Sequence, residues 1–228
     1  MMFSQMPKAL AMAASVALGL TMALTGAAAA GAQPVIVQRV TDAAPNGPVV
    51  VAIGDSIMEG HGLQPDQAWP AVVAEQYGWD LTNLASDGSG FVTVGNNDDT
   101  FVDQVAVAVR LHPSIVLISA SSNDLGDPEP TVATATATAM QELRSDLPNA
   151  KIVVVSPVWN ETAEPQELAT FGQDVANVAA SIGAVSLSIG QPLEGHPQLI
   201  QADDVHPTAT GQRVIARDVA HALAATTA

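Results

Sequence analysis

From residue 49 onward the chain alternates short apolar runs with longer stretches in which apolar residues recur every three or four positions. The short runs are rich in valine, isoleucine and leucine and predict buried strands at residues 49–53, 79–84, 114–119, 151–155 and 184–187. The longer stretches predict helices at residues 65–77, 101–111, 131–147, 167–182 and 208–225. This alternation predicts a three-layer α/β/α fold with a doubly wound, mostly parallel five-stranded sheet.

The first predicted strand ends abruptly at Gly-Asp-Ser, residues 54–56. A serine at the carboxyl end of the first strand of a parallel sheet lies where α/β folds bind ligands. Glycine, aspartate and serine are also ordinary turn formers, so the tripeptide alone fits a plain polar turn equally well. Ser56 is therefore a candidate nucleophile whose role depends on the rest of the chain.

The first 32 residues have the pattern of a secretory signal peptide. Their only charge is Lys8, an apolar stretch covers residues 9–24, and small residues follow, with expected cleavage after Ala30 or Ala32. An uncleaved membrane anchor is the alternative, because the uncharged stretch is long enough to span a bilayer. We expect a secreted protein with no stable membrane association after cleavage. Residues 33–47 predict an extended lead-in, and residues 48–228 predict the folded domain.

Composition narrows the possible partners and chemistry. The 228 residues include 7 Lys and Arg against 23 Asp and Glu, for a formal net charge of −16. This charge argues against nucleic acid and anionic membrane surfaces as partners. The chain contains no cysteine, which excludes disulfides, zinc-thiolate sites and a cysteine nucleophile. The length of the predicted domain suits a single α/β core, and the sequence assigns no oligomeric state.

A serine nucleophile needs a general base, and His206 is the best-placed candidate. Asp203, three residues earlier, can accept the Nδ1 proton and leave Nε2 facing Ser56. Asp204 is a competing partner for the imidazole. His61, five residues after Ser56, is the alternative histidine for the cleft, although it has no acidic partner spaced from it as Asp203 is from His206.

Four short blocks in the chain resemble the SGNH hydrolases, also called GDSL-type esterases and lipases. They are Gly-Asp-Ser-Ile at 54–57, Asn-Leu-Ala-Ser-Asp-Gly at 83–88, Ser-Asn-Asp at 122–124 and Asp-Asp-Val-His-Pro at 203–207. Each block alone is weak, but all four occur in the family's order and at similar separations. The chain departs from the pattern at Ile57, where the family name has leucine, and at Ser122, where many relatives have glycine.

The resemblance implies a flavodoxin-like fold and a serine esterase that needs no metal and no organic cofactor. In that reading Ser56 attacks the ester carbonyl, His206 is general base and then acid, and Asp203 orients His206. The oxyanion hole is then made by the backbone N–H groups of Ser56 and Gly88 and by the side-chain amide of Asn123. Gly90 competes with Gly88 for this role. Short loops without an obvious lid favour short acyl chains on a small-molecule or polysaccharide ester.

Two other features have more than one reading. Trp159 follows the fourth predicted strand, where it can contact substrate or simply plug the space beneath a loop. The acidic loop 96–99 is either a calcium loop or an ordinary solvated loop. Two further function classes stay open: a non-catalytic carbohydrate- or cell-wall-binding module of the same fold, and a metal-dependent phosphoesterase that uses the acidic loops.

Overall fold

The computed structural model of the protein describes residues 38–39 and 47–226. The predicted signal peptide and most of the predicted lead-in lie outside these residues. Within the described part of the chain, no helix is both long and apolar enough to cross a membrane.

The described strands form one sheet in the order β1-β3-β2-β4-β5-β6. Their bounds are β1 Gln38–Arg39, β2 Val49–Ile53, β3 Asp80–Asn83, β4 Ile115–Ser119, β5 Lys151–Val155 and β6 Val185–Leu187. The last five are parallel to one another, which confirms the predicted parallel five-stranded sheet. The two-residue β1 pairs antiparallel with β3 at the edge and was not expected, because it falls in the predicted lead-in.

All five predicted helices are present, with small shifts at their ends. The described α-helices are α1 Ser56–Glu59, α2 Trp69–Tyr77, α3 Phe101–Leu111, α4 Glu129–Asp146, α5 Gln166–Ser181 and α6 Ala209–Ala225. The prediction of one helix over 65–77 was wrong at its start: Pro65–Gln67 is a separate 3-10 turn and Ala68 is extended. Pro70 has no N–H and fits only the first turn of a helix, so α2 begins at Trp69.

The sheet is covered on both faces, as the apolar strands predict. Val50 and Ala52 pack in one core with residues of α2 and α6, whereas Val51 and Ile53 pack in a second core with residues of α3, α4 and α5. This division follows from the two-residue period of a strand, which points neighbouring side chains to opposite faces. Strands buried on both sides therefore read as continuous apolar runs.

The order in which successive strands join the sheet changes direction at β2, and this change positions the site. From β2 the chain crosses to β3 on one side, and it then returns to β4 on the other side of β2. The carboxyl ends of β2 and β4 therefore border the crevice at which doubly wound sheets bind ligands. Ser56 follows β2 after two residues.

Candidate active site

The turn after β2 places Ser56 at the start of the short helix α1. Asp55 caps this helix: its Oδ1 accepts a hydrogen bond of 3.0 Å from the backbone N–H of Ile57. Ser56 is buried, and among the described residues its side chain has no hydrogen-bond partner. The cap orients the turn and leaves the serine hydroxyl uncommitted.

Three strand-end loops meet beside this turn through buried polar side chains. The Ser121 hydroxyl, after β4, lies 2.7 Å from Asp55 Oδ2 and 2.9 Å from the carbonyl oxygen of Ser89, after β3. Gln104 of α3 accepts from the Gly54 N–H at 2.9 Å and donates to the Gly54 carbonyl at 3.1 Å. Burial raises the pKa of the Asp55 carboxyl, and the hydrogen bonds from Ser121 and Ile57 oppose that rise.

The histidine loop precedes α6 and is organised by Asp203. Oδ1 of Asp203 accepts from the backbone N–H groups of Val205 and His206 at 3.0 Å each, and Oδ2 lies 2.8 Å from His206 Nδ1. The His206 backbone N–H and then its ring hold the pKa of the Asp203 carboxyl well below its ordinary value. Asp204 instead has a left-handed backbone, with φ of 59°, and its carbonyl accepts from Asn160. The imidazole partner in the structure is therefore Asp203.

A buried glutamine of α6 hydrogen-bonds to the segment that begins with Ser56. Gln212 of α6 is completely buried; its amide donates to the Ile57 carbonyl at 2.9 Å and accepts from the Trp69 N–H at 2.8 Å. The helix that follows His206 is thus hydrogen-bonded to the helix that begins with Ser56. This contact joins two segments that lie 155 residues apart in the chain.

The two glycines considered for the oxyanion hole differ in backbone conformation and in hydrogen bonding. Gly88 has a left-handed backbone, with φ of 79°, and its N–H has no acceptor among the residues described. Gly90 donates its N–H to the Thr93 carbonyl at 2.9 Å, and a Cβ there would overlap the Asp124 carboxylate. Asn123 donates one amide hydrogen to the Ser89 carbonyl at 2.9 Å and keeps a second.

Asp124 has a structural task that the sequence analysis did not assign. Its fully buried carboxylate accepts hydrogen bonds from three consecutive backbone N–H groups, those of Phe91, Val92 and Thr93, at 2.7, 3.1 and 3.0 Å. These bonds hold the loop after β3 against the loop after β4. Gly90 is required because this carboxylate lies directly against it.

The sequence analysis also missed an acidic partner for His61. His61 Nδ1 lies 3.0 Å from Asp87 Oδ2, and the His61 ring stacks on the His206 ring with a centroid distance of 3.9 Å. The other oxygen, Asp87 Oδ1, lies 4.0 Å from His206 Nε2. Short-range spacing cannot find a contact between residues 26 positions apart. The available signal was the position of Asp87, directly before Gly88 in a loop that opens at the same sheet edge.

Trp159 lies on a loop that contacts the histidine loop. Its indole N–H donates to Thr162 Oγ1 at 2.9 Å, and the neighbouring Asn160 donates to the Asp204 carbonyl at 3.0 Å. Trp159 is half-buried, and its contact with substrate stays a prediction.

Across the part of the chain that the structure describes, one grouping of three or more His, Cys, Asp or Glu side chains is close enough for a metal ion: His61, Asp87 and His206. The carboxylates of loop 96–99 are not part of this group of side chains. Among the residues described, no cluster of acidic ligands therefore supports a calcium site in that loop.

Comparison with known proteins places this geometry in a family. The sequence pattern of the "GDSL-like Lipase/Acylhydrolase family" matches residues 52–214. The chain belongs to this family. This GDSL-like chain is 28% identical to a GDSL lipase of Mycobacterium tuberculosis over 186 residues, which is 75% of this chain and 79% of that protein.

Solved structures support the fold of this GDSL-like hydrolase. The psychrotrophic esterase EstA from Pseudoalteromonas sp. superposes with a TM-score of 0.63 at 19% identity, covering 79% of this chain and 98% of that one. A family two carbohydrate esterase from Cellvibrio japonicus has a TM-score of 0.63 at 17% identity, covering 79% of this chain and 62% of that one. The predicted resemblance and the predicted fold are both confirmed, and the family assigns the chain to the ester hydrolases.

Proposed function

We propose that this GDSL-like hydrolase is a secreted serine esterase in which Ser56 is the nucleophile, His206 the general base and Asp203 its orienting partner. The observation that carries the proposal is the 2.8 Å contact between Asp203 Oδ2 and His206 Nδ1, on the loop that leads into α6. Gln212 of α6 donates a hydrogen bond to Ile57, in the helix that begins with Ser56. With Nδ1 donating to Asp203, Nε2 carries the lone pair that a general base needs.

In the proposed reaction the Ser56 hydroxyl passes its proton to His206 Nε2 as Oγ attacks the ester carbonyl carbon. The tetrahedral intermediate places its negative oxygen toward the N–H groups of Ser56 and Gly88 and the amide of Asn123. His206 then gives the proton to the leaving alkoxide, and the acyl group stays on Ser56. Water, deprotonated by His206, attacks the acyl-enzyme, and the carboxylic acid leaves as Ser56 regains its proton.

Two features of the resting site support this sequence of steps. The buried Ser56 side chain has no competing hydrogen bond among the described residues, so its hydroxyl is uncommitted. Hydrogen bonds between catalytic groups are often loose before substrate binds. Asp87 Oδ1 lies 4.0 Å from Nε2, so a second carboxylate lies beside the proposed base.

The substrate proposal is a short acyl group on a small alcohol or a polysaccharide. A pocket of about 280 Å³ lies beside the site and is lined by His61, Asp87 and further polar side chains that include Glu59 and Asn97, but by neither Ser56 nor His206. A polar pocket of this kind suits a hydroxylated alcohol better than a long alkyl chain. The carbohydrate esterase among the fold relatives is compatible with this choice, although fold alone does not decide substrate.

Hydrolysis of p-nitrophenyl acetate tests the proposal, with the purified protein assayed with and without chelator beside a folded Ser56→Ala variant. We expect activity that survives the chelator and falls by at least about 1000-fold in the variant. A long-chain ester cleaved faster than the acetate at equal solubility would contradict the acyl-chain proposal. Activity that disappears with chelator would favour metal-dependent hydrolysis, and no ester cleavage at all would favour a binding module.

Asn123→Ala tests the oxyanion assignment in the same assay. Loss of one donor to the developing negative charge costs about 3 to 4 kcal/mol of transition-state stabilisation, so kcat is expected to fall about 100-fold to 1000-fold. KM should change little, because the missing bond forms in the transition state. A rise in KM with kcat retained would instead place Asn123 in substrate binding.

A further inference from the structure

We propose that His61, Asp87 and His206 form a binding site for a divalent transition-metal ion such as Zn²⁺, and that the bound ion reversibly inhibits the esterase. The inhibitory part rests on the proposed function, because it takes His206 to be the general base. The metal is a ligand that blocks the site and takes no part in the reaction.

The spacing of the three side chains fits one small cation. Each offers a ligand atom, and these atoms all lie within 4.8 Å of one another. Ligands about 2.0 to 2.2 Å from a tetrahedral zinc ion are roughly 3.4 Å apart. Asp87 Oδ2 lies 3.0 Å from His61 Nδ1, and its other oxygen, Oδ1, lies 4.0 Å from His206 Nε2. Because the two imidazole rings are stacked with a centroid distance of 3.9 Å, the His61 ring must rotate out of the stack for both nitrogens to face one ion.

The ligands are already held in position by neighbouring side chains. Asp203 bonds Nδ1 of His206, which is the arrangement of carboxylate, histidine and metal that orients zinc-binding imidazoles. The Gln201 amide donates to the carbonyl of His61 at 2.8 Å and of Pro207 at 3.0 Å, so it joins the backbones of the two histidine loops. Less reorganisation is then needed on binding than for three unconnected surface groups.

An aqueous ion can reach this site. The side chain of His61 is 39% exposed and that of Asp87 is 25% exposed, and both line the pocket of about 280 Å³ that opens to solvent. Glu59 adds a second carboxylate to the wall of the pocket. Two carboxylates and a strongly acidic chain favour cations at this opening.

Inhibition follows because the metal ion and the Ser56 proton both need the lone pair of His206 Nε2. Nε2 of His206 cannot bind a metal ion and accept the Ser56 proton at the same time. A bound ion therefore removes the general base without altering Ser56 or the oxyanion donors. Chelation should restore the full rate, since no covalent bond is made or broken.

Isothermal titration of metal-free protein with ZnCl₂ tests the site without using activity. We expect one Zn²⁺ per chain, and affinity at least about tenfold weaker in His61→Gln and in Asp87→Ala. His221→Gln is the matched control, because His221 is exposed on α6 and outside the cluster, and it should bind zinc like the unaltered protein. Equal zinc affinity in all four proteins would overturn the proposed site.

The same proteins assayed with p-nitrophenyl acetate test inhibition, each relative to its own metal-free rate. The zinc concentration for half-inhibition should rise at least about tenfold in His61→Gln and Asp87→Ala but not in His221→Gln, and chelator should reverse inhibition. Stimulation by zinc would overturn the inhibitory role. Ser56→Ala separates the two proposals, because it should bind zinc like the unaltered protein while losing esterase activity. Zinc binding by an unaltered protein that shows no esterase activity would refute the serine mechanism and leave the metal site standing.

Discussion

The serine side and the histidine side of the site are built in opposite ways. Around Ser56, the side chains of Asp55, Gln104 and Ser121 are at most 5% exposed and hydrogen-bond to backbone or to one another. Around His206, the carboxylates of Asp87 and Asp203 are 25% and 39% exposed. The nucleophile is thus positioned by a buried polar network and the base by charged groups at the surface.

This contrast predicts different consequences for substitutions. A buried polar group that loses its partner costs about 1 to 3 kcal/mol of folding free energy, whereas exposed charge pairs contribute about 0 to 1 kcal/mol. Changes on the serine side should therefore lower both stability and activity. Changes on the histidine side should lower activity and leave the fold nearly as stable.

The largest effect is expected for Asp203→Asn, on the histidine side. The asparagine amide would donate to Nδ1 and favour the tautomer that carries hydrogen on Nε2, so kcat should fall about 10000-fold. Tm should change by less than about 3 °C, because the side chain is partly exposed. Steady-state kinetics and thermal unfolding of the same preparation check both parts. A large fall in Tm would show that the histidine side also stabilises the fold, and would contradict the contrast between the two sides.

A smaller effect, on stability, is expected for Gln104→Leu on the serine side. The change removes both hydrogen bonds to Gly54 and the bond to Ser89 Oγ, and should cost about 2 to 3 kcal/mol of unfolding free energy. Gln141→Leu, at an exposed position of α4, is the matched control and should stay within about 0.5 kcal/mol. Urea unfolding measures both. Equal unfolding free energies of Gln104→Leu and Gln141→Leu would contradict the claim that a buried polar network stabilises the serine side.

The smallest effect is expected for Glu59→Gln, at the rim of the site. Burial, and then the charge of Asp87, raise the pKa of Glu59 above its ordinary value of 4.5, and among the described residues Oε2 has no hydrogen-bond partner. The unfolded chain therefore releases this proton first, and stability is lost as pH rises from 4.5 to the raised pKa. At pH 7 the variant should melt up to about 3 °C higher, since the screened carboxylate is only half-buried.

A pH series of melting curves checks this sign. The advantage of Glu59→Gln should shrink as the pH falls from the raised pKa toward 4.5 and be small below 4.5, where Glu59 is protonated in both the folded and the unfolded chain. Glu75→Gln, at an exposed position of α2, should show no such trend. A variant that is less stable than the unaltered protein at pH 7 would contradict the assigned pKa direction.

Most of the fold could be predicted because its signals are local. Five apolar runs and five helical patterns each lie within a stretch of the chain, and α3 and β5 match their predicted bounds. Helix α1 was missed because its four residues are too few to show a period. The break at Ala68 was missed because the helical spacing of apolar residues begins only at Trp69 and carries no information about residues 65–68.

The site was predictable only where its residues are close in the chain. Asp203 and His206 are three positions apart, so their contact could be expected from the sequence. The contacts of Asp87 with His61 and of Asp124 with the loop after β3 span 26 and about 30 positions, and they depend on how the loops meet at the sheet edge. Tertiary contacts of that kind leave no periodic signal in one sequence.

The most direct test of the account is the location of the covalent adduct formed with a p-nitrophenyl alkylphosphonate. A phosphonate of this class reacts with the activated serine of an acyl-transfer enzyme. Cleavage at acidic residues and mass spectrometry of the peptides identify the modified residue, with Ser56→Ala as the control. The account predicts one adduct per chain on Ser56, formed in step with the loss of esterase activity and absent from the control. An adduct on another residue, or full activity after complete labelling of Ser56, would contradict it.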